Sequence, residues 1–344
     1  MIQPPLPVDD LEHVLVHTKP LWEPLRGQRI FVTGATGFFG TWLLETFAFI
    51  NEKLALEAEL VGLSRDPEAF YNKVPHLALC KAIRLHQGDV RDFSFPEGKF
   101  SHVIHAGTTS SAPVPPLEMV DTILLGTRRT LDFAVAAGVK KFLFVSSGAV
   151  YGELALGTKP VKETASTAPS PMNSSSAYGE GKRMAELLCA LYHDRTGLET
   201  TIARCFALAG PHLPLEAHFA IGNFIHAALE KKPLVIKSDG SSERSYLYAA
   251  DLAVWLWTIL FKGQACHPYN VGSEARLSIK ELAEQVKKTL GLEAAIQLGS
   301  GGMSTSYVPD TTRAQQELGL KERITLGESI QKHFDWIVMQ SQQR

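Results

Sequence analysis

The stretch RIFVTGATGFFGTWLLE, residues 29–45, decides the fold of this chain. It begins as an apolar strand, turns through Gly34, Gly37 and Gly40, and continues as a helix. Gly34 allows a tight turn at the strand end, Gly37 lets backbone N–H groups approach a pyrophosphate, and Gly40 lets helix and strand pack closely. The positive end of the helix dipole lies at the same point. A glycine trio is often only a turn, but one in the first strand–helix unit predicts a dinucleotide-binding site.

Outward from this turn, short β-rich runs alternate with helical stretches. The candidate strands are RIFVT (29–33), ELVGL (59–63), AIRLHQ (82–87), HVIHA (102–106), KFLFVS (141–146) and TTIARCFALA (200–209). Such alternation predicts right-handed βαβ units and a parallel sheet that helices cover on both faces. The predicted fold is an α/β, Rossmann-type doubly wound parallel sheet with a smaller, interleaved carboxy-terminal α/β lobe that binds the substrate.

The order of predicted strands and helices along the chain also predicts the domain organisation. After Gly210-Pro211 the alternation weakens into longer helices, loops and a glycine-rich stretch. An amphipathic helix, VDDLEHVLVHT (8–18), is expected to pack against the sheet domain. The predicted units are an N-terminal helical extension (1–26), a dinucleotide-binding domain (27–210 plus about 244–272) and a substrate lobe (211–243 and 273–344).

Composition excludes several classes of protein. The 344 residues carry 36 acids and 34 bases, a net charge of -2, which argues against a nucleic-acid backbone binder. No apolar run approaches the ~18 residues of a membrane span, and the amino terminus lacks the pattern of a signal peptide. The four cysteines, Cys80, Cys189, Cys205 and Cys266, are scattered, so we expect neither a metal site nor disulfides. A cytoplasmic enzyme fits this composition.

The end of the second predicted strand bears on the choice of dinucleotide. An acid there would bind both ribose hydroxyls of NAD, whereas a base would accept the 2′-phosphate of NADP. The sequence reads GLSRDP, with Ser64 and Arg65 before Asp66. Arg65 either binds a 2′-phosphate or lies over the adenine as a solvated arginine. The cofactor, NAD or NADP, is therefore left open by the sequence.

A tyrosine and a lysine predict the chemistry. The strand KFLFVS ends in SSGAVYG, and the later segment SAYGEGKRMAE places Tyr178 and Lys182 four residues apart, on one face of a helix. A nearby ammonium and a cationic nicotinamide would both favour the Tyr178 phenolate, which could take a proton from a carbinol while the cofactor takes the hydride. A hydroxyl from Ser147 could orient the same oxygen. A surface Tyr178–Lys182 pair is the competing interpretation.

The order of these motifs is similar to that of the extended short-chain dehydrogenase/reductase superfamily, specifically its NAD-dependent epimerase/dehydratase family acting on nucleotide sugars. Thr33 and the glycine turn resemble its T-G-x-x-G-F-x-G motif, and the resemblance covers nearly the whole chain. It implies Tyr178 as the acid/base, Lys182 as a contact of the nicotinamide ribose and Ser147 as the residue that positions the substrate. It also implies a nucleoside-diphosphate sugar as the substrate and a homodimer.

The resemblance extends to the binding residues. The implied cofactor contacts, together with Ser64 and Arg65, are Gly34, Thr36, Gly37, Phe38, Phe39, Gly40, Asp89, Val90, His105, Ala106, Gly107, Tyr178 and Lys182. The implied substrate contacts are Thr109, Ser147, Gly148, Asn223 and Arg244. For Arg244, a diphosphate contact competes with a structural ion pair to Asp251. For Asn223, a substrate contact competes with a helix cap or a core amide.

Departures from the family pattern narrow the predicted chemistry. Hexose 4,6-dehydratases of the family carry Asp-Glu after the strand-end hydroxyl, where this chain has Gly148 and Ala149, so dehydration is disfavoured. Ile123 and Ala207 replace residues that are often Asn in relatives. The stretch GGMSTSYVPD also lacks an arginine that many relatives present to the diphosphate.

These observations predict an NAD(P)-dependent nucleotide-sugar epimerase that inverts C4 through a transient 4-keto sugar. An NADPH-dependent 4-keto-sugar reductase is the alternative, which Arg65 would favour. A 4,6-dehydratase and a non-catalytic dinucleotide-binding protein rank below both.

Overall fold

A computed structural model describes residues 2–108, 114–216, 219–302 and 304–342. Its helices are α1 (Val8–Thr18), α2 (Phe38–Lys53), α3 (Pro67–Lys73), α4 (Pro75–Ala78), α5 (Pro116–Ala136), α6 (Ala177–Thr196), α7 (Ala220–Leu229), α8 (Ala249–Lys262), α9 (Ile279–Thr289), α10 (Thr312–Leu318) and α11 (Leu326–Gln342). Its strands are β1 (Arg29–Thr33), β2 (Glu59–Ser64), β3 (Ile83–Gln87), β4 (His102–His105), β5 (Lys141–Ser147), β6 (Leu154–Ala155), β7 (Glu199–Cys205), β8 (Leu208–Ala209), β9 (Leu234–Ile236), β10 (Glu243–Arg244), β11 (Leu247–Tyr248), β12 (Pro268–Val271), β13 (Leu277–Ser278), β14 (Ile296–Leu298) and β15 (Thr305–Tyr307).

The central sheet confirms the predicted fold class. Among the described residues its seven strands are all parallel and run in the order β3-β2-β1-β4-β5-β7-β12. The chain winds outward from β1 in one direction and from β4 in the other. Because the direction of winding reverses between these two strands, a crevice opens at their carboxyl ends. The glycine turn follows β1 and therefore lies at this crevice.

Helices cover both faces of the sheet. The apolar cores formed by α5 and α6 on one face and by α2 and α8 on the other are distinct. Every residue of α8 from Ala249 to Leu260 is buried, because α1 packs on the outer side of that helix. The buried Asp251 carboxylate accepts a hydrogen bond from His13 of α1 at 2.8 Å, and Asp10 accepts one from Tyr248 at 2.6 Å. The predicted helix 8–18 is confirmed.

The carboxy-terminal lobe has its own apolar core. Ile221, Phe224, Leu282 and Ile330 of helices α7, α9 and α11 pack together there. A small sheet, β13-β10-β15-β6, joins the lobe to the segment that follows β5. On this basis we propose the domain division expected from the sequence, with α8 and β12 returning to the sheet domain.

One predicted strand was wrong in its extent. The run 200–209 forms two strands, because β7 ends at Cys205, which is paired with Ser147 at the end of β5. Beyond that point β5 offers no further backbone partner. Leu208 and Ala209 pair instead with Leu247 and Tyr248. A run of apolar residues does not reveal where its neighbouring strand ends.

None of the helices in the described ranges combines the length and the apolar content needed to cross a membrane. The cytoplasmic location expected above stays a prediction.

Candidate active site

A cavity of ≈ 1010 Å³ lies at the carboxyl ends of the strands, between the sheet and the carboxy-terminal lobe. Its glycine-turn side is lined by Gly34, Thr36, Gly37, Phe38, Phe39, Leu63, Ser64, Arg65, Gly88, Asp89, Val90, Arg91, Ala106, Gly107 and Thr108. Its lobe side is lined by Phe206, Ala207, Leu208, Leu213, Pro214, Phe219, Ala220, Arg244, Tyr246, Ile279 and Tyr307. Ser147, Tyr178 and Lys182 also line the cavity. The fold thus brings most of the predicted site residues into one space.

The three glycines of the turn have different surroundings. A Cβ added at Gly34, where φ is +69°, would lie 2.5 Å from the Ala106 carbonyl oxygen, and one at Gly40 would lie 2.2 Å from the Gly34 carbonyl oxygen. At Gly37 the nearest atom would be 3.5 Å away. Gly34 and Gly40 are therefore required by backbone packing, whereas Gly37 leaves open space in front of α2.

This open space fits the pyrophosphate of a dinucleotide. No side chain caps the amino terminus of α2, so its first backbone N–H groups can bind an anion. The Thr108 hydroxyl, which lines the same side of the cavity, is buried without a hydrogen-bond partner among the described residues. Both features are polar groups that a bound dinucleotide could satisfy.

His105 lies beneath the cavity and is absent from its wall. Its ring nitrogens lie 2.6 Å from the Thr33 hydroxyl and 3.0 Å from the Thr127 hydroxyl. Burial lowers the His105 pKa to about 3, so the ring is neutral at ordinary pH. Thr33 in turn accepts a hydrogen bond from the Gly107 N–H at 3.1 Å. His105 therefore supports the Ala106–Gly107 loop from below.

Asp89 and Arg91 form an ion pair near the end of β3. The Arg91 guanidinium donates from Nε to Asp89 Oδ1 at 2.8 Å and from Nη2 to Oδ2 at 3.1 Å. These bonds lower the pKa of the Asp89 carboxyl. Val90, between them, packs toward Gly107 and Gly126, where any larger residue would meet it. The loop after β3 is thus held in place before any ligand binds.

Ser147, Tyr178 and Lys182 come together as the helical spacing predicts. Ser147 ends β5, and α6 places Tyr178 and Lys182 one turn apart, with the lysine Nζ 5.9 Å from the tyrosine ring centre. Lys182 is 2% exposed, and its Nζ donates to the Val145 carbonyl oxygen at 2.8 Å. The competing interpretation of a surface pair is wrong, because the ammonium group is buried against the end of β5.

The two titratable groups of this trio are shifted in opposite directions. Burial raises the pKa of Tyr178 to about 12, and a hydrogen bond with Ser147 acts against that rise. Burial lowers the pKa of Lys182 to about 8. At neutral pH the pair is therefore a neutral phenol beside a mostly charged ammonium. The phenol can donate a proton, and it becomes a base when further positive charge lies beside it.

Tyr307 is a site residue that the sequence analysis missed. Its hydroxyl lies 3.3 Å from the Ser147 hydroxyl and 3.4 Å from the Cys205 carbonyl oxygen. Burial raises its pKa well above the usual range for tyrosine. The stretch GGMSTSYVPD contains no motif that singles Tyr307 out. Only the parallel pairing of β15 with β10, which sets Tyr307 opposite Arg244, brings it to the site.

Gly148 does not line the cavity, because its space is already filled. A Cβ there would lie 2.7 Å from the ring of Phe206 and 2.8 Å from the Tyr307 hydroxyl. Ala149, the next residue, does line the cavity. Neither position can supply a proton donor or acceptor from a side chain.

Arg244 lines the lobe side and does not pair with Asp251. Its guanidinium donates to the carbonyl oxygens of Glu243 at 2.7 Å and Thr305 at 3.0 Å. Asp251 is instead bonded to His13 and to the backbone N–H groups of Arg323 and Ile324. The competing interpretation of a structural ion pair is therefore wrong. The carbonyl contacts leave the charge of Arg244 uncompensated at the cavity wall.

Two predicted substrate contacts, Asn223 and Thr109, remain. Asn223 is exposed and outside the cavity wall, because α7 turns Ile221, Phe224 and Ile225 inward and the amide to the opposite face. Thr109 lies outside the described residues. Within those residues, no cluster of His, Cys, Asp or Glu is arranged to hold a metal ion.

The structure also locates two of the departures from the family pattern. Ile123 of α5 is buried against Gly181 of α6, one residue before Lys182. Ala207 lines the lobe side of the cavity.

Known proteins resemble this chain in sequence and in fold. UDP-glucuronic acid decarboxylase 5 of Arabidopsis thaliana is 30% identical over 307 residues, which are 88% of this chain and 87% of the relative. The UDP-N-acetylglucosamine 4-epimerase of Methanobrevibacter ruminantium M1, solved with UDP-N-acetylmuramic acid, superposes with a TM-score of 0.79 at 20% identity, over 91% of this chain and 99% of that one. The UDP-glucuronic acid 4-epimerase of Bacillus cereus, solved with NAD, gives 0.76 at 23% identity, over 91% and 99%.

The two structural likenesses bear on the fold, which they share with this chain. A family model adds the sequence evidence, because it matches residues 30–272, from the first strand of the sheet to the end of β12. The chain is an enzyme of the extended short-chain dehydrogenase/reductase type and belongs to the NAD dependent epimerase/dehydratase family.

Proposed function

We propose that this enzyme inverts a nucleoside-diphosphate sugar at C4 through a transient 4-keto sugar. One observation carries the proposal. The cavity joins the glycine-turn side to Ser147, Tyr178 and Lys182, while Gly148 and Ala149 provide no acid for the removal of water.

The residues of the trio have separate tasks in this mechanism. Tyr178 takes the proton of the C4 hydroxyl and later returns one to the keto oxygen. The Lys182 ammonium favours the phenolate form of Tyr178 through its charge, and Ser147 orients the reacting oxygen by a hydrogen bond. The aromatic walls formed by Phe206 and Tyr307 keep water from the keto sugar, so that it is not lost to side reactions.

The cofactor of the proposed reaction is NAD, in keeping with the family. The amino terminus of α2 and the space beside Gly37 would hold its pyrophosphate, and Lys182 would hold its nicotinamide ribose. When bound, the nicotinamide supplies hydride acceptance and return at the substrate carbon.

A decarboxylase acting on UDP-glucuronic acid is the second candidate, favoured by the relatives of that name. Oxidation at C4 would make the C6 carboxylate part of a β-keto acid, which loses carbon dioxide without an acid or base at positions 148 and 149. The missing carboxylates therefore do not separate the two candidates. The described lobe side offers Arg244 as its cation for either substrate.

One experiment distinguishes these candidates from each other and from a 4-keto-sugar reductase. Purified protein with added NAD is incubated with UDP- and dTDP-hexoses and with UDP-glucuronic acid, and the products are identified by nuclear magnetic resonance and mass spectrometry. We expect the C4 epimer with no net change in the cofactor. Release of carbon dioxide would favour the decarboxylase. In a separate sample that contains NADPH and a nucleotide 4-keto sugar, stoichiometric loss of NADPH would favour the reductase. Inversion of no sugar in the panel would contradict the proposal.

We also propose that the enzyme is a homodimer. On α6, Met184, Leu187 and Leu191 form an exposed apolar stripe at 48–52% exposure, and Leu125 of the adjacent α5 is 50% exposed. A second copy of the same pair of helices would cover this surface. Light scattering should give twice the monomer mass for the wild type and the monomer mass for Leu187→Glu/Leu191→Glu.

A further inference from the structure

A tight turn that follows β8 carries part of the cavity wall. It runs from Gly210 to Leu213, and the Leu213 N–H donates to the Gly210 carbonyl oxygen at 3.2 Å. Leu213 and the following Pro214 line the lobe side of the cavity. A Cβ at Gly222 of α7 would lie 2.8 Å from the Pro214 carbonyl oxygen, so α7 packs directly against this stretch. The conformation of the turn therefore sets the position of part of the lobe side.

One of the two central residues of this turn has a strained backbone. These residues are Pro211 and His212, and φ at His212 is +68°. Glycine and asparagine favour positive φ at this point of a turn, whereas the Cβ of other residues crowds the backbone there. The Pro211 carbonyl oxygen is fixed by a hydrogen bond from Trp42 Nε1 of α2 at 3.0 Å. A histidine keeps such a conformation because its surroundings hold it there.

The His212 side chain is held on three sides and is 3% exposed. Its Nδ1 lies 3.0 Å from the Gln3 Oε1, and its Nε2 lies 3.4 Å from the Glu45 Oε1 of α2. Its ring packs edge-on against Trp336 of α11, with the ring centres 4.6 Å apart. The amino-terminal segment, α2 and α11 thus meet at this one ring.

The amino-terminal segment, residues 2–7, is itself fixed to both of these helices. The Leu6 N–H donates to Glu45 Oε2 at 2.6 Å, and the Pro5 carbonyl oxygen accepts a hydrogen bond from Trp336 Nε1 at 3.3 Å. Glu45 therefore binds the segment through one carboxylate oxygen and faces the histidine with the other. The segment, the two helices and the turn form one connected set of contacts.

We infer that Gln3 and Glu45 are positioning residues that act through His212 to hold the lobe side of the cavity ready for its substrate. None of these three side chains lines that cavity, so each acts on the substrate only through the turn. The inference rests on the proposed function for the class of substrate, a nucleoside-diphosphate sugar. The amino-terminal segment then contributes to substrate binding without touching the substrate.

The first test compares the substrate with the dinucleotide. Gln3→Ala should raise the KM for the nucleotide sugar and the Kd of UDP roughly fivefold, as expected for loss of one neutral hydrogen bond, and should change kcat and NADH affinity by less than about twofold. Gln331→Ala is the matched control, because the Gln331 amide bonds Asp335 on the exposed face of α11. Equal losses of UDP and NADH affinity in Gln3→Ala, or no loss of either, would overturn the inference.

A pair of substitutions at His212 separates positioning from packing. His212→Ala removes the ring and keeps a Cβ that disfavours positive φ, whereas His212→Gly removes the ring and adopts positive φ freely. UDP affinity should fall roughly tenfold in His212→Ala and no more than about threefold in His212→Gly, because glycine needs no contacts to hold the turn. A ring that only fills space would give the glycine variant a loss as large as that of the alanine variant, and this result would overturn the inference.

Amide hydrogen exchange of residues 210–216 needs no ligand and is therefore independent of the proposed function. We expect faster exchange there in Gln3→Ala and His212→Ala than in the wild type, with unchanged exchange in residues 34–40 of the glycine turn. If no nucleotide binds but this pattern is found, the proposed function fails and the positioning of the turn stands. If a nucleotide sugar is inverted but exchange in residues 210–216 is unchanged in both variants, the inference fails and the proposed function stands.

Discussion

The two sides of the cavity are built in different ways. The glycine-turn side depends on backbone: Gly34 and Gly40 have no room for a Cβ, and α2 presents its uncapped amino terminus. The lobe side depends on side chains from distant segments, mainly apolar and aromatic, with Arg244 as its cation among the described residues. We propose that the first side recognises the pyrophosphate, which is common to all dinucleotides. We propose that the second side selects the substrate by its shape and by a single charge.

The difference shows where specificity resides in such a fold. Backbone N–H groups at a helix terminus bind any phosphate, so the glycine-turn side discriminates little between phosphate ligands. It also tolerates few substitutions. Some side chains of the lobe side, such as Leu213 and Tyr246, pack in the core of the lobe, which is separate from the cores of the sheet. The following substitutions test this contrast.

The largest effect is expected at the junction of the two sides. Tyr178→Phe removes the hydroxyl that we propose as the acid/base and should lower kcat roughly 100- to 10,000-fold while leaving dinucleotide affinity unchanged. The control is Tyr192→Phe on the same helix, whose hydroxyl bonds Asp132 away from the cavity and whose loss should not affect turnover. Turnover that survives Tyr178→Phe would contradict the mechanism.

Substitutions that crowd the backbone of the glycine-turn side should weaken dinucleotide binding. In Gly40→Ala the new Cβ would meet the Gly34 carbonyl, so we expect a lower unfolding temperature and loss of most dinucleotide affinity. Gly37→Ala meets nothing closer than 3.5 Å and should keep the wild-type unfolding temperature while binding dinucleotide more weakly. Thermal unfolding and NADH titration separate the two outcomes. Equal unfolding temperatures for both variants would show that the close packing at Gly40 is not required.

Substitution of the cation on the lobe side should weaken substrate binding and leave dinucleotide binding unchanged. If Arg244 binds the diphosphate as we propose, Arg244→Ala should raise the KM for a nucleotide sugar roughly 10- to 100-fold, and Arg244→Lys should recover part of this loss. Dinucleotide affinity should not change, since Arg244 lies on the other side of the cavity. An unchanged KM would exclude Arg244 from substrate binding.

The smallest expected effect is on the pH dependence of stability, through one buried histidine of the sheet domain and one of the lobe. Burial lowers the pKa of His105 and of His333 in α11 to about 3 each, with His212 adding to the effect at His333. In the unfolded chain histidine binds a proton near pH 6.5, so stability from each neutral ring is full above that pH and is lost as the pH falls toward 3. At pH 5 the loss is about 2 kcal/mol per histidine.

The measurement is the free energy of unfolding at pH 8 and pH 5. Both His333→Leu and His105→Leu should reduce the fall in stability between these values by about 2 kcal/mol. They should differ at pH 8, because neither nitrogen of His333 has a partner among the described residues, whereas His105 bonds Thr33 and Thr127. We expect His105→Leu to be destabilising there and His333→Leu to be nearly neutral. Equal stabilities at pH 8 would show that the hydrogen bonds of His105 contribute nothing.

The sequence predicts some residues of the site correctly and misplaces others, for physical reasons. Ser147, Tyr178 and Lys182 were found because a strand end and an i, i+4 spacing are local properties. Asn223 was predicted from its position in a motif, yet the amphipathic period of α7 turns it outward. The competition between a ligand and Asp251 for Arg244 was open in the sequence and was decided by the contacts that α1 makes with α8.

The sequence by itself determined the parallel sheet, the glycine turn and the pairing of tyrosine with lysine, since each follows from constraints within a few residues of chain. The tertiary structure decided which groups face that pair. Tyr307 reaches Ser147 across 160 positions of sequence, and Phe206 fills the space beside Gly148. Such contacts depend on how the lobe packs against the sheet, because packing brings together segments that local sequence constraints do not relate.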